Sequence, residues 1–358
     1  MLENMDWVKP LYSRKAVRAA GAALVDTAST PEQRVDALVI VNNWRAAHNY
    51  PLNTFKVTLR RKSSEVSTES LVAQRIKRLT SIELKLSRYE NMSLDRMQDL
   101  GGCRAIMPSI ASVYRLTYKY IKGNLKHRLT KVDDYIDKPK ESGYRGVHLV
   151  YKYNSDKENA KIYNNLCIEM QFRTVRQHQW ATAVETVGTF MHQSLKSSMG
   201  NKEWLRYFAL ASSAIAIIER MPIVPGTPRV KRELYRELYK LHIKLSVKAM
   251  FAACKHSISL PSLEGYRKKY YFLLGLDPDK RRIQISAFDK SQPKQAQAAY
   301  DEAEKSLNPN STKDIVLVSV DSFKALKKAY PNYFADTTAF VKTIENVLKE
   351  AGFKKGLQ

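Results

Sequence analysis

Two carboxylates, Asp99 and Glu169, stand in short blocks rich in phosphate-binding groups: Asp99-Leu-Gly-Gly-Cys-Arg104 and Glu169-Met-Gln171-Phe-Arg173-Thr. In the first, two glycines let the backbone approach a ligand closely, and an arginine follows the acid. In the second, Glu169, Gln171 and Arg173 alternate along an extended segment and point the same way. A third block, Arg75-Ile-Lys77-Arg78-Leu-Thr-Ser81-Ile-Glu-Leu-Lys85, puts Lys77, Ser81 and Lys85 on one face of a helix, with Arg75 ahead of them. Ordinary ion pairs account for any one block taken alone. Together, two isolated acids in basic surroundings point to one Mg²⁺ held between them, the oxygen-ligand arrangement of phosphoryl transfer.

The elements that must position these blocks follow from periodicity. Thr30-Pro31-Glu32-Gln33 reads as a capped helix start, with Val35, Leu38, Val39 and Asn42 continuing at helical spacing toward Trp44. Phe55, Val57 and Leu59 alternate with polar residues and predict a half-buried strand. Further strands are expected at 103–107, 127–136, 147–153 and 166–172, with a helix at 110–122. Helices, then several strands, then helices again indicate an α+β domain ending near Glu219.

Three prolines in Met221–Pro228 must interrupt helix and mark the best domain boundary. Beyond it Arg232, Arg236, Lys240, Lys244 and Lys248 recur every four residues as a basic stripe. A solvated face and a nucleic-acid contact both fit that stripe. Strands at 271–276, 282–288 and 315–320 and helices at 296–306 and 337–349 then predict a small C-terminal module.

The chain of 358 residues carries 60 Lys plus Arg against 35 Asp plus Glu, a formal charge of +25 that implies a polyanionic partner. Residues 301–358 hold 9 basic and 8 acidic side chains, so the excess lies elsewhere. Cys103, Cys167 and Cys254 are far apart with no paired spacing, which indicates neither a disulfide framework nor a zinc site and fits a reducing cytoplasm. No apolar run approaches a membrane span, so no membrane partner is expected, and the polyanion is read as RNA and not DNA.

Between the acidic blocks runs Asp134-Tyr-Ile-Asp-Lys138-Pro-Lys140-Glu-Ser-Gly143-Tyr144-Arg145-Gly-Val-His148. This segment resembles the DYIxxPKxxGYRSxH loop of the RelA/SpoT family of ATP-dependent pyrophosphokinases. The other blocks fall in that family's order over roughly residues 50–195. The resemblance implies a nucleotidyltransferase-like mixed sheet flanked by helices, and transfer of the β,γ-pyrophosphate of ATP to a ribose 3′-hydroxyl. It places Arg75 and Arg104 on the adenine, and Lys77, Ser81 and Lys85 on the ATP phosphates. Asp99 and Glu169 would bind Mg²⁺, with Glu169 the better candidate for general base. Tyr144 would stack on the acceptor's base, with Lys138, Lys140 and His148 beside its phosphates and Gln171 and Arg173 lining the same side.

His178 falls where small alarmone synthetases have a guanine-reading asparagine, and Gly146 replaces the loop's usual serine. The stretch around His178 instead looks like the toxic branch, whose members mostly pyrophosphorylate the 3′ end of tRNA. A tRNA acceptor end also matches the basic excess. The alternative is an alarmone synthetase acting on GDP, GTP or an adenine nucleotide. A catalytically dead RNA-binding regulator is a further reading, opposed by the retention of both acids.

The overall layout resembles CapRel-like fused toxin–antitoxin proteins of antiphage defence. That resemblance implies a synthetase at 1–220, a linker and basic helix at 221–265, and a sensor module at 266–358 with a zinc-finger-like fold lacking metal ligands. Tyr330 and Tyr333, in Tyr330-Pro-Asn-Tyr333, would cover the ATP site until a phage protein, such as a capsid protein, releases them.

Overall fold

The computed structural model describes residues 7–190, 201–257, 266, 269–280, 282–307, 313–320 and 322–357. Three helices, α1 (Arg14–Val25), α2 (Pro31–Ala47) and α3 (Asn49–Val66), precede the first strand. The expected start of α2 is present as a capping box, with the Thr30 hydroxyl and the Gln33 side chain each bonding the other's backbone amide. Its buried face is not the expected one. Val35 and Val39 are exposed, and Ala37, Val41 and Trp44 are buried.

The strand expected at Phe55–Leu59 is the middle of α3. Leu52, Phe55, Lys56, Leu59 and Ser63 are buried and recur at helical spacing, while Val57 is 55% exposed. Six alternating residues fit a short stretch of either period, and packing on the sheet selected the helix.

The sheet has eight strands in the order β3-β4-β5-β2-β1-β8-β6-β7. They are β1 (Leu71–Ile76), β2 (Gly101–Met107), β3 (Arg128–Asp134), β4 (Val147–Lys152), β5 (Cys167–Thr174), β6 (Tyr271–Asp277), β7 (Arg282–Phe288) and β8 (Asp314–Ser319). Pairing of β2 with β5 is parallel and the rest is antiparallel, so the architecture is a mixed α+β sheet flanked by helices. Lys77 was expected on one helix with Ser81 and Lys85, with Arg75 ahead of it. Instead Arg75 lies on β1, Lys77 lies in the connection, and α4 (Leu79–Arg88) begins after it. β1 is buried in mid-sheet and shows no alternation in sequence.

Helix α5 (Ile110–Ile121) packs with α3 on one face of the sheet around Leu59, Cys103, Leu116 and Phe172. The opposite face meets α7 (Val175–Phe190) and, from the C-terminal segment, α12 (Phe323–Ala329) and a 3₁₀ turn at Pro331–Phe334. A short helix α6 (Glu158–Lys161) precedes β5.

Helix α8 (Lys202–Glu219) ends at Arg220 in the left-handed conformation, and the proline-rich stretch is non-helical as expected. α9 (Lys231–Lys244) and α10 (Val247–Ser257) follow, split at Ser246, whose φ is 46°. Arg232, Arg236, Lys240 and Lys244 are exposed along α9, and Lys248 continues the stripe from α10. The last eight residues of the expected linker and basic helix, 258–265, lie outside the described residues.

The C-terminal strands do not stand apart: β8 pairs with β1 at Gln74↔Ser319 and Arg75↔Val318, making one continuous sheet. α11 (Pro293–Lys305) covers β6 and β8, and α13 (Thr338–Glu350) returns to pack Phe340, Ile344 and Leu348 among Trp180, Trp204 and Phe208.

Candidate active site

Register decides which side chains converge. Arg75 pairs with Gly102, Gly102 with Glu169, and Arg104 with Gln171, so one face of three adjacent strands carries Arg75, Arg104, Glu169 and Gln171 together. Lys77 and Asp99 complete the cluster from the strand ends. A Cβ added at Gly102 would meet nothing nearer than 3.9 Å, so this glycine leaves the floor of the cavity open.

Asp99 is the electrostatic centre of the cavity. Its two oxygens accept from Lys77 Nζ at 2.9 Å and Lys85 Nζ at 3.0 Å. Burial favours the protonated acid, but the two ammonium groups outweigh it and hold the Asp99 carboxyl below its ordinary range. Ser81 sits one turn before Lys85 on α4. Lys77 approaches from outside that helix, so the three groups do not form the single helical face that spacing suggested.

Glu169 belongs to a hydrogen-bonded chain across β4 and β5. Its Oε1 lies 2.9 Å from His148 Nδ1, its Oε2 accepts from Gln171 Nε2 at 2.6 Å, and Gln171 Oε1 accepts from Arg173 at 3.1 Å. His148 Nε2 lies 2.6 Å from the Tyr144 hydroxyl. Burial alone would raise the Glu169 carboxyl; His148 and the Gln171 bond overcome this and leave it lowered. Burial would likewise lower His148, yet Tyr144 and Glu169 raise it.

Asp99 and Glu169 feel each other's charge across the cavity. Among the described residues no group of three or more His, Cys, Asp or Glu could hold a metal. Two hard oxygen donors suit Mg²⁺, which keeps waters and takes substrate phosphate oxygens for its remaining positions. The donor set therefore fits the ion.

The loop between β3 and β4 is built to present an aromatic platform. Asp134 accepts from the Ile136 and Asp137 amides, which turns the chain, and Tyr135 meets Tyr144 and His148 edge-on. Lys140 Nζ lies 4.3 Å from the Tyr135 ring centre and 5.5 Å from that of Tyr144. Lys138 is exposed beside it. Gly143, at φ +91°, lies against Trp180 and Ser212 where a side chain would clash. Tyr135 lies within the expected loop, but its pairing with Tyr144 depends on the loop's fold and has no signature in spacing.

Sequence reasoning missed Arg145. It is buried and donates to Ser212 Oγ at 3.0 Å, Ile136 O at 3.1 Å and Pro222 O at 2.5 Å, tying the loop to α8 and the proline-rich stretch. Its replacement by Leu leaves those carbonyls unpaired. We expect a loss of about 2–4 kcal/mol, read as a lowered Tm, with a raised acceptor KM.

Tyr330 closes one side of the cavity. It is buried, lines the same cavity, and donates its hydroxyl to Gln74 O at 3.1 Å, with the Arg104 guanidinium carbon 5.8 Å from its ring centre. Arg104 also donates to Ala329 O at 3.3 Å. Burial, with Arg173 and Arg75 close by, lowers Arg104 to about 9. The remaining cavity is about 50 Å³, room for about one or two waters and not for a nucleotide. Tyr333 is buried beside Arg78 and Asp314, which are ion-paired, and does not line the cavity. His178, expected on the acceptor side, is buried with Nε2 3.0 Å from Lys328 O, against the C-terminal segment. A wider groove of about 580 Å³, bordered by Ile217, Tyr235, Val347 and Phe353, lies away from all of these groups.

Residues 74–192 match the family described as a region found in RelA / SpoT proteins. These residues resemble that region. All the donor-side groups except Tyr330 lie within it. The chain is 30% identical over 121 residues to the GTP pyrophosphokinase YwaC of Bacillus subtilis (strain 168), spanning 34% of this chain and 53% of YwaC. It is 26% identical over 172 residues to the GTP pyrophosphokinase YjbM of the same organism, spanning 47% of this chain and 78% of YjbM. Among solved structures, small alarmone synthetase 2 from Bacillus subtilis gives a TM-score of 0.41 at 21% identity, over 52% of this chain and 94% of that one. Small alarmone synthetase 1 from the same organism, bound to its product pppGpp, gives 0.39 at 23% identity, over 48% and 88%. β8 and the other C-terminal elements lie beyond the matched residues.

Proposed function

We propose that this chain is a cytoplasmic ATP-dependent pyrophosphokinase whose acceptor is the 3′-hydroxyl of the tRNA CCA end. The observation that carries the reading is the convergence of Arg75, Arg104 and Glu169, on one face of β1, β2 and β5, with Lys77 and Asp99 from the strand ends and Lys85 from α4. Arg75 and Arg104 hold the adenine by stacking, and Lys77, Ser81 and Lys85 hold the phosphates. Glu169, oriented by His148 and Gln171, takes the proton of the attacking hydroxyl. The O3′–Pβ bond forms, the bond from Pβ to the α,β-bridging oxygen breaks, and AMP leaves with that oxygen. Bound between Asp99 and Glu169, Mg²⁺ would neutralise phosphate charge as it redistributes. On the acceptor side Tyr144 stacks on the terminal base. Lys138, Lys140, His148, Gln171, Arg173 and His178 are assigned to the same side, of which His178 becomes accessible only when the C-terminal segment moves.

The Tyr330 ring against Arg104 supports a second part of the reading, that residues 266–358 are a sensor module holding the enzyme off in cis. A phage protein that binds the released state better would then open it, in abortive antiphage defence. We read the module's strands as the zinc-finger-like fold of CapRel-like proteins.

An alarmone synthetase acting on GDP, GTP or an adenine nucleotide is the second reading, favoured by the names of the two Bacillus relatives. Acceptor choice separates them. ATP labelled in its γ-phosphate is expected to mark intact tRNA and to spare tRNA lacking its terminal adenosine, and the protein is expected to bind tRNA more weakly as salt rises. Labelled GDP with unlabelled tRNA would move the assignment to the nucleotide reading.

A further inference from the structure

The C-terminal segment grips the core from both faces of the sheet, and the two grips differ in kind. On the cavity face, Tyr330, Ala329 and Lys328 are held by single bonds to Gln74 O, Arg104 and His178. Around them Arg104 Nε, Arg173 Nε, His178 Nδ1 and the Tyr333 hydroxyl are buried without a hydrogen-bond partner. Such orphans make a contact costly to keep.

On the opposite face Gln74 Oε1, near α11, is also buried without a partner, but the charged groups that hold α11 are paired throughout. Arg45 of α2, 1% exposed, donates from Nη1 to Glu304 Oε2 of α11 at 2.6 Å and to Asn42 Oδ1 at 2.8 Å. Its Nη2 donates to Tyr300 Oη at 2.5 Å and Glu304 Oε1 at 3.1 Å, and Nε and Nη2 reach Lys77 O at 3.2 and 3.0 Å. Glu304 Oε1 also accepts the Leu79 amide at 3.1 Å, at the first residue of α4. Burial would lower the Arg45 guanidinium, but Tyr300 and Glu304 hold it above its ordinary value. One carboxylate and one guanidinium thus fix the peptide groups on both sides of the Lys77–Arg78 connection, the stretch that aims Lys77 at Asp99. A fork-shaped guanidinium fixes direction as well as charge, and an anion at the start of α4 suits the helix dipole.

We propose that Glu304 is a positioning residue of the donor-phosphate site, acting through Arg45 and the Leu79 amide on Lys77, and that α11 stays docked when Tyr330 leaves. The proposal rests on the pyrophosphokinase reading. The C-terminal segment then has two roles: α12 and the turn after it cover the site, while α11 completes it. Separating α11 would strand a buried arginine and a buried carboxylate, which is far costlier than withdrawing a contact already surrounded by unpaired groups.

The test uses the full chain carrying Tyr330→Ala and Tyr333→Ala, with a non-hydrolysable ATP analogue as probe, titrated by calorimetry, beside KM for ATP and acceptor. Adding Glu304→Gln is expected to weaken the analogue and raise the ATP KM by about tenfold, with acceptor KM unchanged. Arg45→Lys, which keeps a cation but loses the fork, should do the same and serves if Glu304→Gln does not fold. Lys56→Met loosens the same segment at Tyr270 and Ser319 without touching Lys77, and should change analogue affinity by less than about twofold. Unchanged affinity in a folded Glu304→Gln chain, or equal weakening by Lys56→Met, overturns the proposal alone. No analogue binding by the parent chain overturns the pyrophosphokinase reading, and this proposal with it.

Discussion

Glu169→Gln is expected to lower pyrophosphate transfer by at least about a hundredfold while leaving the fold intact. Glutamine keeps the shape and the contacts with His148 and Gln171 within reach, but it carries no charge for a cation and is not basic enough to accept a proton. The carboxylate is already kept in its charged form by His148 and Gln171, so the substitution removes a group that the surroundings have prepared. Transfer rate at saturating ATP and acceptor, measured beside a thermal melt, separates chemistry from folding. Near wild-type transfer would remove Glu169 from the reaction.

Tyr330→Ala together with Tyr333→Ala is expected to raise ATP turnover by at least about tenfold and to make expression growth-inhibitory. A tethered cover acts at an effective concentration near millimolar, so even a weak contact keeps most molecules closed. Withdrawing the Tyr330 ring would open the face of Arg104 and remove its hydroxyl bond to Gln74 O. Combining these changes with Glu169→Gln should abolish the toxicity, which ties growth inhibition to transfer. A folded double variant that binds ATP no better than the wild type would leave the C-terminal segment without an inhibitory role.

Much of the site was legible because its signals are local. Asp99 and Arg104 flank a glycine pair, and Glu169, Gln171 and Arg173 lie on one strand face, so spacing alone grouped them. Register then joined the groups, and no spacing predicts register between β1, β2 and β5. The Phe55–Leu59 segment misled because alternation over so few residues is compatible with both periods, and its buried Lys56 reaches Ser319, a partner 263 positions away. β1 misled because a strand buried on both faces loses its alternation. Arg45 and Glu304 carried no signal at all, each being a charged residue in an unremarkable helix made decisive by burial, while Arg145 stood within the loop motif but its ties to α8 and Pro222 did not show in spacing. Tyr330 was readable as a motif, but its place against Arg104 depends on β8 joining β1, a pairing across more than two hundred residues.

The most direct test of the central claim follows both halves of the donor nucleotide. The Tyr330→Ala, Tyr333→Ala chain is incubated with Mg²⁺, γ-labelled ATP and tRNA, GDP or adenine nucleotides in separate reactions, beside the same chain carrying Glu169→Gln. The account predicts label on a 3′-hydroxyl acceptor with an equal yield of AMP, lost in the Glu169→Gln chain. Release of ADP with labelled phosphate, or no labelled acceptor in any reaction, would contradict it.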